Sequence, residues 1–323
     1  MIIILMLNKR DKKGETKMKT ALVGYTGFVG SNLMATMSFD NVYNSKNIHE
    51  IEQEEFDLVI YSGVRAEKFL ANQHPEQDFA HIQDTIENIK KIKTKQFVLI
   101  STVDVYKNPM GVDENTPIIE EDLHPYGLNR RYLEKWVEEH IPNALIVRLP
   151  ALYGINLKKN FLYDLKTIVP SMLKKEKLES LAETSSLDLE NYYELKSNGF
   201  YGLRADLTST HQTLLKAYFS QNDFNALSFT DSRNAYSFYH LKDLSRHIQL
   251  ALDKGIRLLN LGTEPLSTND IYQAVKGEPF INEIISTPVV YDIRTRYAQE
   301  LGGAGFYLTN KTDGLNNIVE FLK

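Results

Sequence analysis

Short apolar runs alternate with helix-periodic segments along most of the chain, and this alternation narrows the fold more than any other feature. "TALVG" (20–24), "NVYNS" (41–45), "DLVIYS" (57–62), "FVLIS" (97–101), "ALIVRL" (144–149) and "LLNLG" (258–262) have the length and apolar content of buried strands. Between them, "SNLMATM" (31–37) reads as a helix. Phe79, Ile82, Ile86 and Ile89, then Leu133, Trp136 and Val137, then Leu241, Leu244, Ile248 and Leu252 recur at helical spacing. Strands and helices in turn mean parallel strands joined by crossover helices, so an α/β, doubly wound sheet is expected. The alternation stops between about 156 and 228, where a polar, tyrosine-containing stretch predicts a mostly helical insertion.

The first crossover carries "GYTGFVG" (24–30). Glycine permits a tight turn and lets the backbone come close to a pyrophosphate, whose charge is favoured by free N–H groups at a helix N-terminus. Set between a strand and a helix at the head of an alternating chain, the triplet points to a dinucleotide. Sites that take NAD usually place an acid about 20 residues past the first glycine, on the adenosine ribose. That position is Asn44 here, and Lys46 close by suits a 2′-phosphate, so NADP is favoured over NAD.

Composition excludes other classes. A formal net charge of −5 argues against neutralising nucleic-acid phosphates, and "KKIKTK" (90–95) reads as the solvated end of a helix before a strand. Cysteine is absent, which removes disulfides, thiolate nucleophiles and cysteine-bound zinc and fits a reducing cytoplasm. The histidines show no metal spacing, and no Gly-x-Ser-x-Gly elbow supports a hydrolase. "MIIILML" is too short for a bilayer span of about 20 residues and lacks the preceding charge of a signal peptide. Residues 1–17 read as a tail outside the fold, with the first strand opening at "MKTALVGYTG".

Six blocks in order, "ALVGYTGFVGSNL", "LISTVDVY", "PYGLNRRYLEKW", "RLPALYG", "FYHLKDLSRHIQLAL" and "LLNLGTEPLSTNDI", resemble the extended short-chain dehydrogenase/reductase family, which includes nucleotide-sugar epimerases, dehydratases and reductases. The likeness covers most of 18–165 and 236–275. It implies a Rossmann-type domain over 18–155 and 236–262, with a smaller, interleaved, mostly α substrate lobe over 156–235 and 263–323. It further implies that Gly24, Thr26, Gly27 and Gly30 hold the pyrophosphate with the N–H groups of Phe28 and Val29. Ser62, Gly63 and Pro150 would line the cofactor, Thr102 would orient the substrate oxygen, and Tyr126 would be the acid/base. A homodimer through the helices around 79–92 and 127–139 is implied as well.

The chemistry of these residue types agrees. A free tyrosine, with a pKa of about 10, needs a fixed cation to act as a base near neutrality. Residues four apart share a helix face, so Arg130, where the family has lysine, can bring charge to Tyr126 and donors to ribose hydroxyls. Arginine stays protonated, however, and does not relay a proton through its own nitrogen. Where family dehydratases follow the catalytic Thr with Asp and Glu, this chain has Val103 and Asp104, which disfavours simple 4,6-dehydration. The family's diphosphate-gripping arginine is replaced by Tyr236, leaving Arg233 and Asn160, together with Asp104, as substrate candidates. The reading is an NAD(P)-dependent enzyme acting on a sugar, most simply a nucleotide-linked one. Its alternative is a non-catalytic dinucleotide-binding sensor or scaffold.

Overall fold

The computed structural model describes residues 18–196 and 198–323, and the expected tail 1–17 lies outside the described residues. The six expected strands form one sheet: β1 (Thr20–Val23), β2 (Asn41–Tyr43), β3 (Glu55–Tyr61), β4 (Lys93–Thr102), then Leu145–Leu149 and Leu258–Asn260. Across the sheet the order is β2, β1, β3, β4, Leu145–Leu149, Leu258–Asn260. Every pairing is parallel, with Leu22 opposite Val42 and Ile60, and Ile100 opposite Val147. The order reverses at β1, which places a switch-point crevice outside the carboxyl ends of β1 and β3.

Apolar residues on both faces of the strands explain why helices must cover the sheet twice. Leu22, Leu58, Ile60, Val98, Leu145 and Val147 pack on one face with Leu33 of helix α1 (Phe28–Thr36) and with Leu244, Ile248 and Ala251 of the helix Leu244–Asp253. On the other face Val23, Val59, Phe97, Leu99 and Ile146 pack against later helices. Helix α2 (Lys68–Gln73) precedes α3 (Pro75–Ile89), which supplies Ile82, Ile86 and Ile89, and α4 (Pro125–His140) supplies Leu133 and Val137. The basic run 90–95 begins at Lys90, the C-cap of α3, and runs into the start of β4.

The chain separates into two compact units. The first runs to residue 157 and takes in 235–267 and 289–321. Besides the large sheet it holds a parallel pair, Ala151–Tyr153 with Phe238–His240, and a four-stranded sheet ordered Leu266–Ser267, Ala235–Tyr236, Val290–Ile293, Met110–Val112. The second unit, 158–234 with 268–288 and 322–323, carries the helices Phe161–Thr167, Lys175–Thr184, Ser209–Ser220 and Thr268–Lys276. It also holds a small antiparallel sheet centred on Tyr201–Leu203. The stretch after 262, expected to go wholly to the smaller lobe, thus divides. Val290–Ile293 hydrogen-bonds in parallel to both Ala235–Tyr236 and Met110–Val112, which ties it to the first unit. Among the described residues no helix is long and apolar enough to cross a membrane.

Candidate active site

The glycine turn follows β1 directly. Gly24 has φ +88°, and a Cβ there would stand 2.6 Å from the Ser62 carbonyl carbon and 2.7 Å from Gly63 Cα. A Cβ on Gly30 would fall 2.1 Å from the Gly24 carbonyl oxygen. These positions therefore admit glycine alone, and the turn lies against the end of β3, where Ser62 donates its hydroxyl to Val23 O at 2.8 Å. Gly27 is the N-cap of α1 and offers no side-chain acceptor. The N–H groups of Phe28, Val29 and Gly30 have no carbonyl four residues back inside the helix to accept them. Thr26 is exposed at the tip. Asn44, just past β2, donates to the Tyr25 hydroxyl at 3.2 Å and accepts the Lys46 N–H at 2.9 Å, while the Lys46 side chain is exposed.

Because all strands are parallel, Thr102 at the carboxyl end of β4 stands on the same sheet edge as the glycine turn. Its hydroxyl accepts the Asp104 N–H at 3.1 Å and lies near enough to the Tyr126 phenol to favour its ionised form. Tyr126 opens α4. His124 caps that helix by accepting the Gly127 N–H on Nδ1 at 3.0 Å, and Asn72 of α2 accepts the Tyr126 N–H at 3.0 Å. A Cβ on Gly127 would meet the Asp104 carbonyl oxygen at 2.2 Å, so the glycine after Tyr126 lets the helix lie on the turn that follows Thr102.

Arg130 lies one helical turn on, with its guanidinium carbon 4.0 Å from the Tyr126 ring centroid, a cation–π contact. It is buried, ion-paired to the buried Asp78 of α3, and donates to the Arg65 carbonyl. Asn129 adds a 2.8 Å bond to the same Asp78 oxygen. The Arg130 Nε–H has no partner among the described residues. An orphaned buried donor beside Tyr126, a glycine cradle and free N–H groups on one sheet edge fit a dinucleotide with its ribose and phosphates. Pro150 follows the strand Leu145–Leu149 on that edge.

Sequence spacing could not show Lys68, Asp78, His124 or Tyr291, because each reaches the site through tertiary contact. Lys68 Nζ bonds Asp104 Oδ1 at 2.7 Å and the Tyr291 hydroxyl at 3.1 Å, and Tyr291 donates to Asp104 at 2.9 Å. Asp104 is therefore a paired carboxylate on the side of Thr102 and Tyr126. Burial pushes the Tyr126 phenol above its ordinary pKa, Arg130 opposes this, Asp104 adds to it, and Thr102 and Lys68 oppose. Burial, aided by Lys68, pushes the His124 imidazole down, so with Nδ1 accepting it is neutral and protonated on Nε2.

Below the site a buried polar network fixes the strand ends against α4. Glu134, two turns beyond Tyr126, accepts from Ser101 Oγ at 2.6 Å and pairs with Arg148 at 2.7 and 3.0 Å. Arg148 also donates to the Tyr106 hydroxyl at 2.9 Å. Two substrate candidates stand in the second unit. Asn160 caps the helix Phe161–Thr167 through its side-chain oxygen, at 3.0 Å from Leu162 N. Arg233 spends its guanidinium on Asp231 and Glu283, at 2.8 to 2.9 Å.

Residues 39–262 match the model of the NAD dependent epimerase/dehydratase family. No curated protein sequence matches the chain. Among solved structures, the dTDP-4-dehydrorhamnose reductase of Bacillus anthracis in complex with NADP aligns at TM-score 0.60 and 14% identity, covering 95% of this chain and 98% of that one. The UDP-glucose 4-epimerase of Thermotoga maritima with UDP-glucose aligns at 0.57 and 15%, covering 94% and 98%. A UDP-glucuronic acid 4-epimerase of Bacillus cereus in complex with NAD aligns at 0.56 and 18%, covering 94% and 99%. At these identities the likeness speaks for the fold.

Proposed function

The chain belongs to the NAD dependent epimerase/dehydratase family, and on that premise we propose that it moves a hydride between a nicotinamide dinucleotide and a nucleotide-linked sugar, with Tyr126 as the acid/base. The observation that carries this reading is the meeting of the Thr102 hydroxyl, the Tyr126 phenol and the Arg130 guanidinium on the sheet edge that also bears the glycine turn.

In this reading the N–H groups of Phe28, Val29 and Gly30 take the pyrophosphate, Ser62, Gly63 and Pro150 line the remainder, and the free Arg130 Nε–H takes a ribose hydroxyl. The dinucleotide supplies the hydride chemistry. Thr102 orients the reacting oxygen, and Tyr126 exchanges its proton. Asp104 and Lys68 meet neighbouring hydroxyls, and Asn160 and Arg233 are the candidates for the diphosphate, Arg233 only after release from its two carboxylates. NADP is proposed over NAD, because Asn44 rather than a carboxylate stands directly after β2 and the exposed Lys46 is placed to meet a 2′-phosphate. Of the solved structures named above, the Bacillus anthracis reductase holds NADP and the Bacillus cereus epimerase holds NAD.

A panel of UDP- and dTDP-linked sugars and their 4-keto forms, assayed in both directions with NAD(H) and NADP(H), tests the proposal. Tyr126→Phe is expected to lower turnover at least about 100-fold while leaving cofactor affinity intact. Unchanged turnover in that variant would refute the assignment. Tight cofactor binding with no turnover anywhere on the panel would favour a non-catalytic protein, a reading to which the sequestering of Arg130 by Asp78 lends weight.

A further inference from the structure

A tyrosine that serves as a base needs surplus positive charge beside it, because a buried phenolate is otherwise unfavourable. Among the described residues two cations face Tyr126, and each is matched by an aspartate. Arg130 lies over the ring, but its charge is shared with Asp78, the two side chains being only 4% and 8% exposed. Lys68, from α2, is bound to Asp104 at 2.7 Å. Of the remaining groups around the phenol, Thr102 is neutral and His124 is neutral with Nδ1 accepting the Gly127 N–H. Tyr291 is held un-ionised by burial and by Asp104. The Arg65 guanidinium is turned to His81 at 3.0 Å and gives the site only its carbonyl. The charges of Arg130, Asp78, Lys68 and Asp104 sum to zero.

We propose that these two aspartate-neutralised cations keep Tyr126 as a phenol, so that it works as a proton donor and the enzyme runs as a reductase of a keto sugar. The inference rests on the acid/base role proposed for Tyr126 and adds a direction to it. In the forward step the carbonyl carbon gains a hydride, with its two electrons, from the reduced nicotinamide dinucleotide. The C=O π pair moves to oxygen, which takes the phenol proton. The products are the alcohol, the oxidised dinucleotide and a phenolate that solvent reprotonates. The reverse reaction requires the phenolate first, a form whose population falls tenfold for each pH unit below the phenol's pKa. Asp78, Lys68 and Asp104 are positioning residues in this scheme, acting on Tyr126 through charge.

The test needs no substrate. Full-length protein labelled with carbon-13 at tyrosine Cζ is titrated by NMR, and Tyr126→Phe identifies the resonance among the 18 tyrosines. The expected result is an un-ionised Tyr126 from pH 6 to about 10, the ordinary tyrosine pKa. Two partly exposed positions then give opposite signs: Asp104→Asn shifts ionisation to lower pH, and Lys68→Met shifts it to higher pH. A merely structural role predicts no such pair of signs. Ionisation of the wild-type residue near neutrality, or shifts of equal sign in the two variants, would overturn the inference even if the sugar panel showed turnover. For whichever sugar the panel turns over, the oxidation rate is expected to rise tenfold per pH unit without levelling off at any pH below the ordinary tyrosine pKa of about 10, while reduction stays flat. An oxidation rate that levels off near pH 7 would overturn the direction while leaving the role of Tyr126 standing.

Discussion

Arg130 and Asp164 show how burial sets the chemistry of single residues. The buried Arg130 guanidinium is accompanied by Asp78, and its planar fork reaches Asp78, the Arg65 carbonyl and the Tyr126 face together, which an ammonium could not do. Asp164, in the helix Phe161–Thr167, has no such companion among the described residues, and burial pushes its carboxyl up to about 7. A carboxyl raised in the folded state contributes stability that is complete below its unfolded pKa of about 3.9 and is lost as pH rises through the folded value. Asp164→Asn removes this dependence. Its melting temperature is expected to match the wild type at pH 4 and to exceed it by a few degrees at pH 8. A lower melting temperature at pH 8 would show that the carboxylate is held by a favourable partner.

At the scale of elements, α4 and the strand Leu145–Leu149 are locked through Glu134 and Arg148, both nearly inaccessible to solvent. Removing one member of a buried pair leaves the other charge uncompensated. Arg148→Ala is therefore expected to destabilise the protein by about 3–5 kcal/mol in urea unfolding. A loss below about 1 kcal/mol would mean that water reaches Glu134 and the lock is weak. The elements were legible where their signal is local. All six strands of the sheet and the glycine turn could be read from apolar runs and from one triplet. Thr102 and Tyr126 could be read because β4 and α4 each carry their own short motif. Lys68, Asp78 and Tyr291 could not be read, since their meaning arises only when α2, α3 and the strand Val290–Ile293 fold onto Asp104 and Arg130. Asp104 and Tyr291 are 187 residues apart in sequence. The same strand explains why the stretch after 262 divides between the two units, because its pairing partners lie at 110–112 and 235–236.

For the whole molecule, the parallel sheet gathers a phosphate cradle and a phenol on one edge although the residues that build them are about a hundred positions apart in sequence. Burial of so many tyrosines has a global consequence. Tyr61, pushed up to about 12 by burial, and Tyr106, likewise raised, stay neutral in the folded state. Stability should accordingly be whole below the unfolded tyrosine pKa of about 10 and fall as pH rises through the folded values. Chemical unfolding measured from pH 8 to 11 checks this, and a flat profile would count against it. The central claim, that the glycine edge holds a nicotinamide dinucleotide for Tyr126, is tested most directly by fluorescence titration of the full-length protein with NADH and NADPH in parallel. The account predicts saturable binding, tighter for NADPH and weakened by Lys46→Ala for that ligand alone. Folded protein that binds neither dinucleotide would contradict it.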